Sequence, residues 1–127
     1  MSLVTRHFGS IGAILGAVAV GAGAFGAHAL RGRLDDRLFA VWTTAASYNL
    51  VHALALVVTA LVLAHRPRRA ARVAGHAFLA GIVLFSGSLY ALALTDTSWL
   101  GAVTPLGGVA FLLGWVALAV ALAPGRI

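Results

Sequence analysis

The chain has 127 residues, of which 61% are hydrophobic and only 9% are charged, and its mean hydropathy is +1.00. An average soluble domain has about 25% charged residues, so this chain has too few charges to cover a water-exposed surface. We therefore predict an integral membrane protein. No cysteine occurs, which excludes disulfides, thiolate nucleophiles and cysteine-ligated metal sites. The formal net charge is +6, but the arginines lie between apolar runs. They therefore indicate topology and lipid contacts rather than a nucleic-acid partner.

Four long apolar runs are predicted to be transmembrane helices, at residues 8–30, 38–64, 73–95 and 99–123. Each is longer than the about 20 residues that a helix needs to cross the hydrocarbon. Backbone groups in hydrocarbon must pair within their own segment, which favours helices. Short loops make neighbouring helices antiparallel. The expected fold is all-α, an antiparallel four-helix bundle forming a single transmembrane domain over 1–127. Residues 37–48 belong either to the interface or to a tilted second span.

The first run ends in the stretch "GAFGAHAL" at residues 23–30. Small residues let helices approach closely, so we predict that four glycines of this run pack against a neighbouring helix: Gly12, Gly16, Gly23 and Gly26. The same stripe would also serve a homo-oligomer. The glycines at 21–26 match a dinucleotide fingerprint, but they lie inside an apolar span and no acid follows about twenty residues on, so no nucleotide site is inferred.

Arginines predict the orientation of the four spans. Six lie on the side of the termini and the 65–72 loop, and three lie on the other side. The excess of positive charge marks the cytoplasmic side, so both termini are expected in the cytoplasm of a bacterial cell, with the spans in its inner membrane. Four arginines of the middle loop are expected to contact anionic lipid headgroups: Arg66, Arg68, Arg69 and Arg72. The other two of the six are Arg6 and Arg126.

With this topology, polar residues of all four spans fall in the outer half of the membrane. They are His28, Tyr48, Asn49, His52, Ser86, Ser88, Tyr90 and Thr104. Helical spacing places Tyr48, Asn49 and His52 on one face. Because polar side chains avoid lipid, we expect the set to line one small polar space in which His28 and His52 approach each other. This space would bind a small ligand, a lipid headgroup or a proton. Alternatively, these side chains only hydrogen-bond the helices together, as in an accessory subunit.

Two imidazoles on adjacent helices are also able to hold haem or half of a zinc or copper site. A bis-histidine redox protein with His28 and His52 as ligands is therefore a further alternative. No nearby carboxylate or thiolate completes such a site, so no cofactor is expected. The three acids, Asp35, Asp36 and Asp96, lie in predicted loops. No catalytic triad is recognisable, and an enzyme is not expected.

Tryptophan and proline add three local predictions. Trp42 and Trp99 are expected to anchor the outer interface, whereas Trp115 lies deeper and is expected to pack within the bundle. Pro105 either kinks the fourth helix or occupies its first turn, where proline is tolerated.

Four motifs occur in a characteristic order: "GAFGAHAL", "YNLVHALAL", "FSGSLYALAL" and "TPLGGVAFLLGW". In these motifs, and over nearly its whole length, the chain resembles the YgdD-like family of small membrane proteins, a family of unknown function. The resemblance implies a four-helix integral membrane protein, found in the inner membrane of bacteria and with mitochondrial relatives. It implies no established activity.

Overall fold

The protein forms four long helices, and the computed structural model describes residues 2–125. A helical turn at Leu3–Arg6 precedes them. The four helices are α1 at Phe8–Leu30, α2 at Asp36–His65, α3 at Arg69–Thr95 and α4 at Leu100–Leu122. Each is long and apolar enough to cross a membrane. The predicted all-α four-span architecture is confirmed, and the third helix starts four residues earlier than its apolar run.

Helix α2 is the longest element and includes residues 37–48, whose position the sequence left open. The Asp35 side chain caps the helix by accepting a hydrogen bond from the Leu38 N–H at 2.8 Å, as short polar residues do at helix starts. The helix ends just before Pro67, which disfavours helical backbone in the preceding residue. Its 30 residues span about 45 Å, more than the about 30 Å of hydrocarbon. In a bilayer, α2 must therefore tilt or extend into the headgroups.

The bundle has two chemically different ends. We call the end that holds residues 31–35 and 96–98 the loop end, and the end that holds residues 2–7, 66–68 and 123–125 the terminal end. At the loop end, the Arg37 guanidinium forms an exposed ion pair with Asp96, at 2.8 Å. At the terminal end, Arg68 donates to the Ala123 carbonyl at 3.1 Å and Arg66 donates to it at 3.5 Å. These two arginines supply donors for the end of α4, whose last carbonyls lack helical partners. Arg126 lies outside the described residues.

Helices α2 and α3 form the centre, with α1 packed along α2 and α4 packed along α3. The first residue of α1 also reaches α3: Phe8 is fully buried, and its ring covers Gly75 and meets the His76 ring edge-on at 5.1 Å. The core at the terminal end thus contains residues of all four helices.

Helices α3 and α4 fit together through two reciprocal phenylalanine–glycine contacts. Phe78 of α3 lies over Gly114 of α4, and Phe111 of α4 lies over Gly81 of α3. A Cβ added at Gly114 would lie 2.6 Å from the Phe78 ring, and one at Gly81 would overlap the Phe111 ring. The two helices therefore pack more closely than larger residues would allow. Each pair arises from a glycine three residues after a phenylalanine, a spacing that occurs in both helices and was missed as a packing signal.

The predicted glycine stripe of α1 is only partly in contact with α2. A Cβ at Gly12 would lie 3.0 Å from the Ala53 carbonyl oxygen, and one at Gly26 would lie 2.7 Å from the Trp42 indole. A Cβ at Gly16 would lie in ordinary van der Waals contact with the Ala53 Cβ, at 3.9 Å. Contrary to the prediction, a Cβ at Gly23 would meet nothing within 4 Å. Gly23 instead borders an open groove between α1 and α2 that Trp42 and Ala46 also line.

Trp99 and Trp42 differ in exposure, and Pro105 lies in the interior of a helix. Trp99 is 67% exposed at the start of α4, a position compatible with an interface anchor. The same prediction is wrong for Trp42, which is buried between helices, because its ring fills the space beside Gly26. Pro105 lies inside α4 rather than in its first turn. Because proline has no backbone N–H, the Gly101 carbonyl lacks the helical hydrogen bond that another residue at position 105 would donate.

Candidate functional site

The eight predicted polar residues do not line one common space; they fall into four separate places. Asn49, Ser86 and Tyr90 lie between α2 and α3. Ser88 and Thr104 lie between α3 and α4. His52 and Tyr48 face α4, and His28 stands apart at the end of α1.

The contact between α2 and α3 is made by buried polar groups. The Asn49 side chain is 1% exposed, and its Nδ2 donates to the Tyr90 hydroxyl at 3.0 Å. One turn before Tyr90, the fully buried Ser86 hydroxyl donates to the Ala45 carbonyl at 2.9 Å. Asn49 Oδ1 has no hydrogen-bond partner among the described residues. These contacts hold the two central helices together in the half nearer the loop end.

Trp42 extends this contact to α1. Its indole N–H donates to the Ala22 carbonyl at 2.8 Å, and its ring packs on Tyr90, with centroids 4.7 Å apart. Trp42 and Asn49 are seven residues apart, which places them on one face of α2, two turns from each other. That spacing is the sequence signal that would have located Trp42 inside the bundle.

Ser88 and Thr104 form a separate pair between α3 and α4. Their hydroxyl oxygens lie 2.7 Å apart. Each hydroxyl also lies near a backbone carbonyl of its own helix. The Ser88 hydroxyl is 3.0 Å from the Phe85 carbonyl oxygen, and the Thr104 hydroxyl is 3.4 Å from the Leu100 carbonyl oxygen. With protein partners around both hydroxyls, the pair serves to join two helices.

His52 lies between α2 and α4 and both of its ring nitrogens are engaged. The Trp115 indole N–H donates to His52 Nε2 at 3.1 Å, so Nε2 carries no proton. His52 Nδ1 then holds the proton of the neutral ring and donates it to the Tyr48 carbonyl, at 2.7 Å. The imidazole also stacks on Phe111, with centroids 3.6 Å apart. Trp115, predicted only to pack within the bundle, is thus the direct partner of His52.

A groove opens beside this pair, between α2 and α4, with a volume of about 490 Å³. We call it the α2–α4 groove. Tyr48, 44% exposed, forms one wall and packs on Phe85, with ring centroids 4.5 Å apart. The other lining residues are Val51, His52, Pro105, Gly108, Val109, Phe111, Leu112 and Trp115. A Cβ added at Gly108 would meet nothing within 4 Å, so a larger side chain at this position has free space to occupy at the groove.

A second π-helical turn, Ile82–Ser86, shapes the α3 side of these contacts. It places Phe85 beside Tyr48 and Phe111, and it places Ser86 toward α2. The Phe85 backbone lies against Gly107 of α4, where a Cβ would overlap it. Such turns add a residue to one helical turn and redirect the side chains that follow.

The predicted approach of His28 to His52 is wrong. His28 is exposed and lies in the π-helical turn at the end of α1. That turn contacts α2 at the level of Trp42, and His52 lies ten residues farther along α2, about 15 Å away along the axis. The two rings are therefore at different depths and cannot share a haem or a metal ion. Within residues 2–125, no group of three or more His, Cys, Asp or Glu side chains is placed to hold a metal ion.

The fold and these contacts define a multi-pass membrane protein whose interior polar groups pair mainly with one another and which has one aromatic groove in its central region. Residues 22–108 match the family described as "Protein of unknown function (DUF423)". The chain is 51% identical over 113 residues to the UPF0382 membrane protein YwdK of Bacillus subtilis, covering 87% of this chain and 91% of that protein. It is 46% identical over 111 residues to the UPF0382 membrane protein SERP0230 of Staphylococcus epidermidis, covering 87% and 90%.

The chain therefore belongs to the DUF423 family, whose matching relatives carry the name UPF0382 membrane protein. No solved structure matches the chain.

Proposed function

We propose that this protein is a non-enzymatic, membrane-embedded binding protein whose α2–α4 groove takes up a small apolar molecule from the bilayer. The ligand class that fits best has a flat ring and one hydrogen-bonding group. The observation that supports this most is the groove itself, an open space of about 490 Å³ lined by aromatic rings. Most of the other predicted polar side chains between the helices already bond to protein groups, whereas this groove leaves its aromatic wall open to a ligand.

The lining of the groove matches such a ligand in shape and chemistry. Tyr48, Phe85 and Phe111 line the groove, and the ring of the 44% exposed Tyr48 is the one most open to stacking by a flat ligand ring. Val109 and Leu112 on the rim are more than half exposed, so a ligand dissolved in the bilayer reaches the groove from the side. The Tyr48 hydroxyl makes no hydrogen bond to another described residue and is able to bind a polar substituent of the ligand.

His52 acts in this proposal as a positioning group for the groove wall. His52 Nε2 accepts the hydrogen bond from the Trp115 N–H. If Nε2 were protonated, it would become a donor, and this hydrogen bond would be lost. The bonded geometry therefore suits a ring that holds Trp115 in place, and it argues against the proton-binding hypothesis for this histidine.

We also propose the orientation and membrane of the chain. Both termini face the cytoplasm across a bacterial cell membrane, because the sequence has six arginines in its terminal segments and the 65–72 loop and three in residues 31–37. Membership of the YgdD-like family rests on the four sequence motifs and stays a prediction.

The test uses glycines of α4 that differ only in position. A Cβ at either Gly108 or Gly101 meets nothing within 4 Å, but only Gly108 lines the groove. In detergent, a short-tailed benzoquinone is expected to quench part of the tryptophan fluorescence saturably in a Trp99→Phe background, in which Trp115 of the groove and the buried Trp42 remain. Adding Gly108→Leu should abolish the saturable component, and adding Gly101→Leu should leave it unchanged. Equal quenching in the two glycine variants, or quenching that never saturates, would contradict binding in the groove.

The accessory-subunit alternative has one specific observation in its favour. Helix α1 packs along α2, and its other faces leave Ile14, Val18 and Val20 about half exposed or more. A partner helix would cover this apolar surface. Polar substitutions at Val18 should then release a protein that co-purifies with the wild-type chain in mild detergent, whereas a binding protein that acts alone would show no such partner.

A further inference from the structure

A second groove lies at the terminal end, on the face of α3 away from α2, with a volume of about 950 Å³. We call it the terminal groove. Its mouth is polar and is lined by Ser2, Thr5, Arg69 and Arg72, and His76 lies about one turn farther along α3. Its deeper part is apolar and is lined by Val73, Ala77 and Ala80 of α3 and by Ala110 and Leu113 of α4. Charge and apolar surface are thus separated along one groove.

The groove extends to about the depth of one membrane leaflet. Arg69 and Ala80 are eleven residues apart on α3, or about 16 Å along the helix axis. Half of a bilayer hydrocarbon core is about 15 Å thick. On the antiparallel α4, Leu113 lies nine residues before the helix end at Leu122, at a matching depth. An acyl chain entering beside the arginines would therefore lie against apolar surface along the length of the groove.

The four arginines of residues 66–72, two before α3 and two in its first turn, divide into two pairs with different environments. Arg66 and Arg68 donate to carbonyls at the end of α4. Arg69 and Arg72 instead line the terminal groove. The three acidic side chains of the protein are Asp35, Asp36 and Asp96, all in or beside the loops of the opposite end. No side-chain carboxylate therefore competes for the two groove arginines.

We propose that the terminal groove is a binding site for one anionic phospholipid. Its phosphate is held by Arg69 and Arg72, which bind phosphate oxygens with several N–H donors each. One acyl chain lies along Val73, Ala77 and Ala80. This site shares no lining residue with the α2–α4 groove, so its test is independent of the test of the proposed function.

The experiment is native mass spectrometry of delipidated protein in a neutral detergent, with phosphatidylglycerol or phosphatidylcholine added. The wild-type chain is expected to retain one phosphatidylglycerol in preference to phosphatidylcholine. Replacing both groove arginines, Arg69→Gln with Arg72→Gln, should weaken retention by about 25-fold, since each arginine near anionic lipid contributes about fivefold. The matched control is Arg31→Gln with Arg33→Gln, which removes the same charge at the loop end and should retain the lipid.

A further variant and a soluble competitor separate a lipid site from a simple anion site. Ala80 is exposed in the groove floor, so Ala80→Phe should obstruct the acyl chain while leaving both arginines in place, and retention should fall. Glycerol 3-phosphate should not displace the lipid. Equal loss in the loop-end control would show diffuse attraction only, and full displacement by glycerol 3-phosphate would show a phosphate site. Either result would overturn the proposal, as would full retention in Ala80→Phe or in the Arg69, Arg72 double variant.

Discussion

Tyr90 and Tyr48 show how differently the same residue type acts on the two sides of α2. Tyr90 accepts a hydrogen bond from the buried Asn49 side chain. Tyr48 is 44% exposed and lines the α2–α4 groove. One tyrosine therefore contributes to helix association and the other to an open surface, although both were predicted for one polar space.

Removing the two hydroxyls should have unequal effects on stability. Tyr90→Phe leaves the Asn49 Nδ2 without its partner in a buried position, which costs about 1–3 kcal/mol of unfolding free energy. Tyr48→Phe removes no bond to a described residue and should change stability by less than about 0.5 kcal/mol. Unfolding of both variants in detergent measures the difference. A Tyr90→Phe variant as stable as Tyr48→Phe would show that the Asn49–Tyr90 bond contributes nothing.

At the scale of elements, glycines decide which helix faces approach. Gly114 and Gly108 both lie on α4, but only Gly114 is covered, by the Phe78 ring. The interface between α3 and α4 depends on this contact and its counterpart between Gly81 and Phe111. Gly108 instead borders the open space of the α2–α4 groove.

Alanine at these two positions should change stability in opposite directions. Gly114→Ala forces a methyl group against a buried ring and should cost about 1–3 kcal/mol, as overpacking does. Gly108→Ala meets no atom and should be neutral or should stabilise α4 by up to about 1 kcal/mol, because alanine favours helix over glycine. Thermal unfolding in one detergent compares them. If Gly114→Ala melted no lower than Gly108→Ala, the close contact of α3 with α4 would be refuted.

The four spans were predictable from the sequence because length and apolarity alone identify them. The contacts between them were less predictable, because they depend on register. The sequence showed that Asn49 and His52 share a side of α2, but not that Asn49 meets α3 while His52 meets α4. Trp42 was placed at the interface because tryptophan is common there, yet the small Gly26 opposite it makes space inside the bundle. The π-helical turn at Gly26–Leu30 had no recognised signal, and it separates His28 from the polar interior.

For the molecule as a whole, the arginine asymmetry predicts the side on which the termini lie. A periplasm-dependent reporter fused after residue 127 should be inactive, and a cytoplasm-dependent reporter at the same position should be active. Fusion within residues 31–35 should give the opposite pattern. Reporter activity in the periplasm from the C-terminal fusion would invert the topology and place the terminal groove in the outer leaflet.

The central claim is that the α2–α4 groove binds a membrane-derived molecule, and an experimental structure of protein purified without lipid exchange tests it most directly. We expect non-protein density over Gly108, between Tyr48 and Trp115, and we expect it to be missing from the Gly108→Leu variant. A wild-type groove that is empty, or closed by contact of α4 with α2, would contradict the claim. It would leave the accessory-subunit alternative as the better account of this bundle.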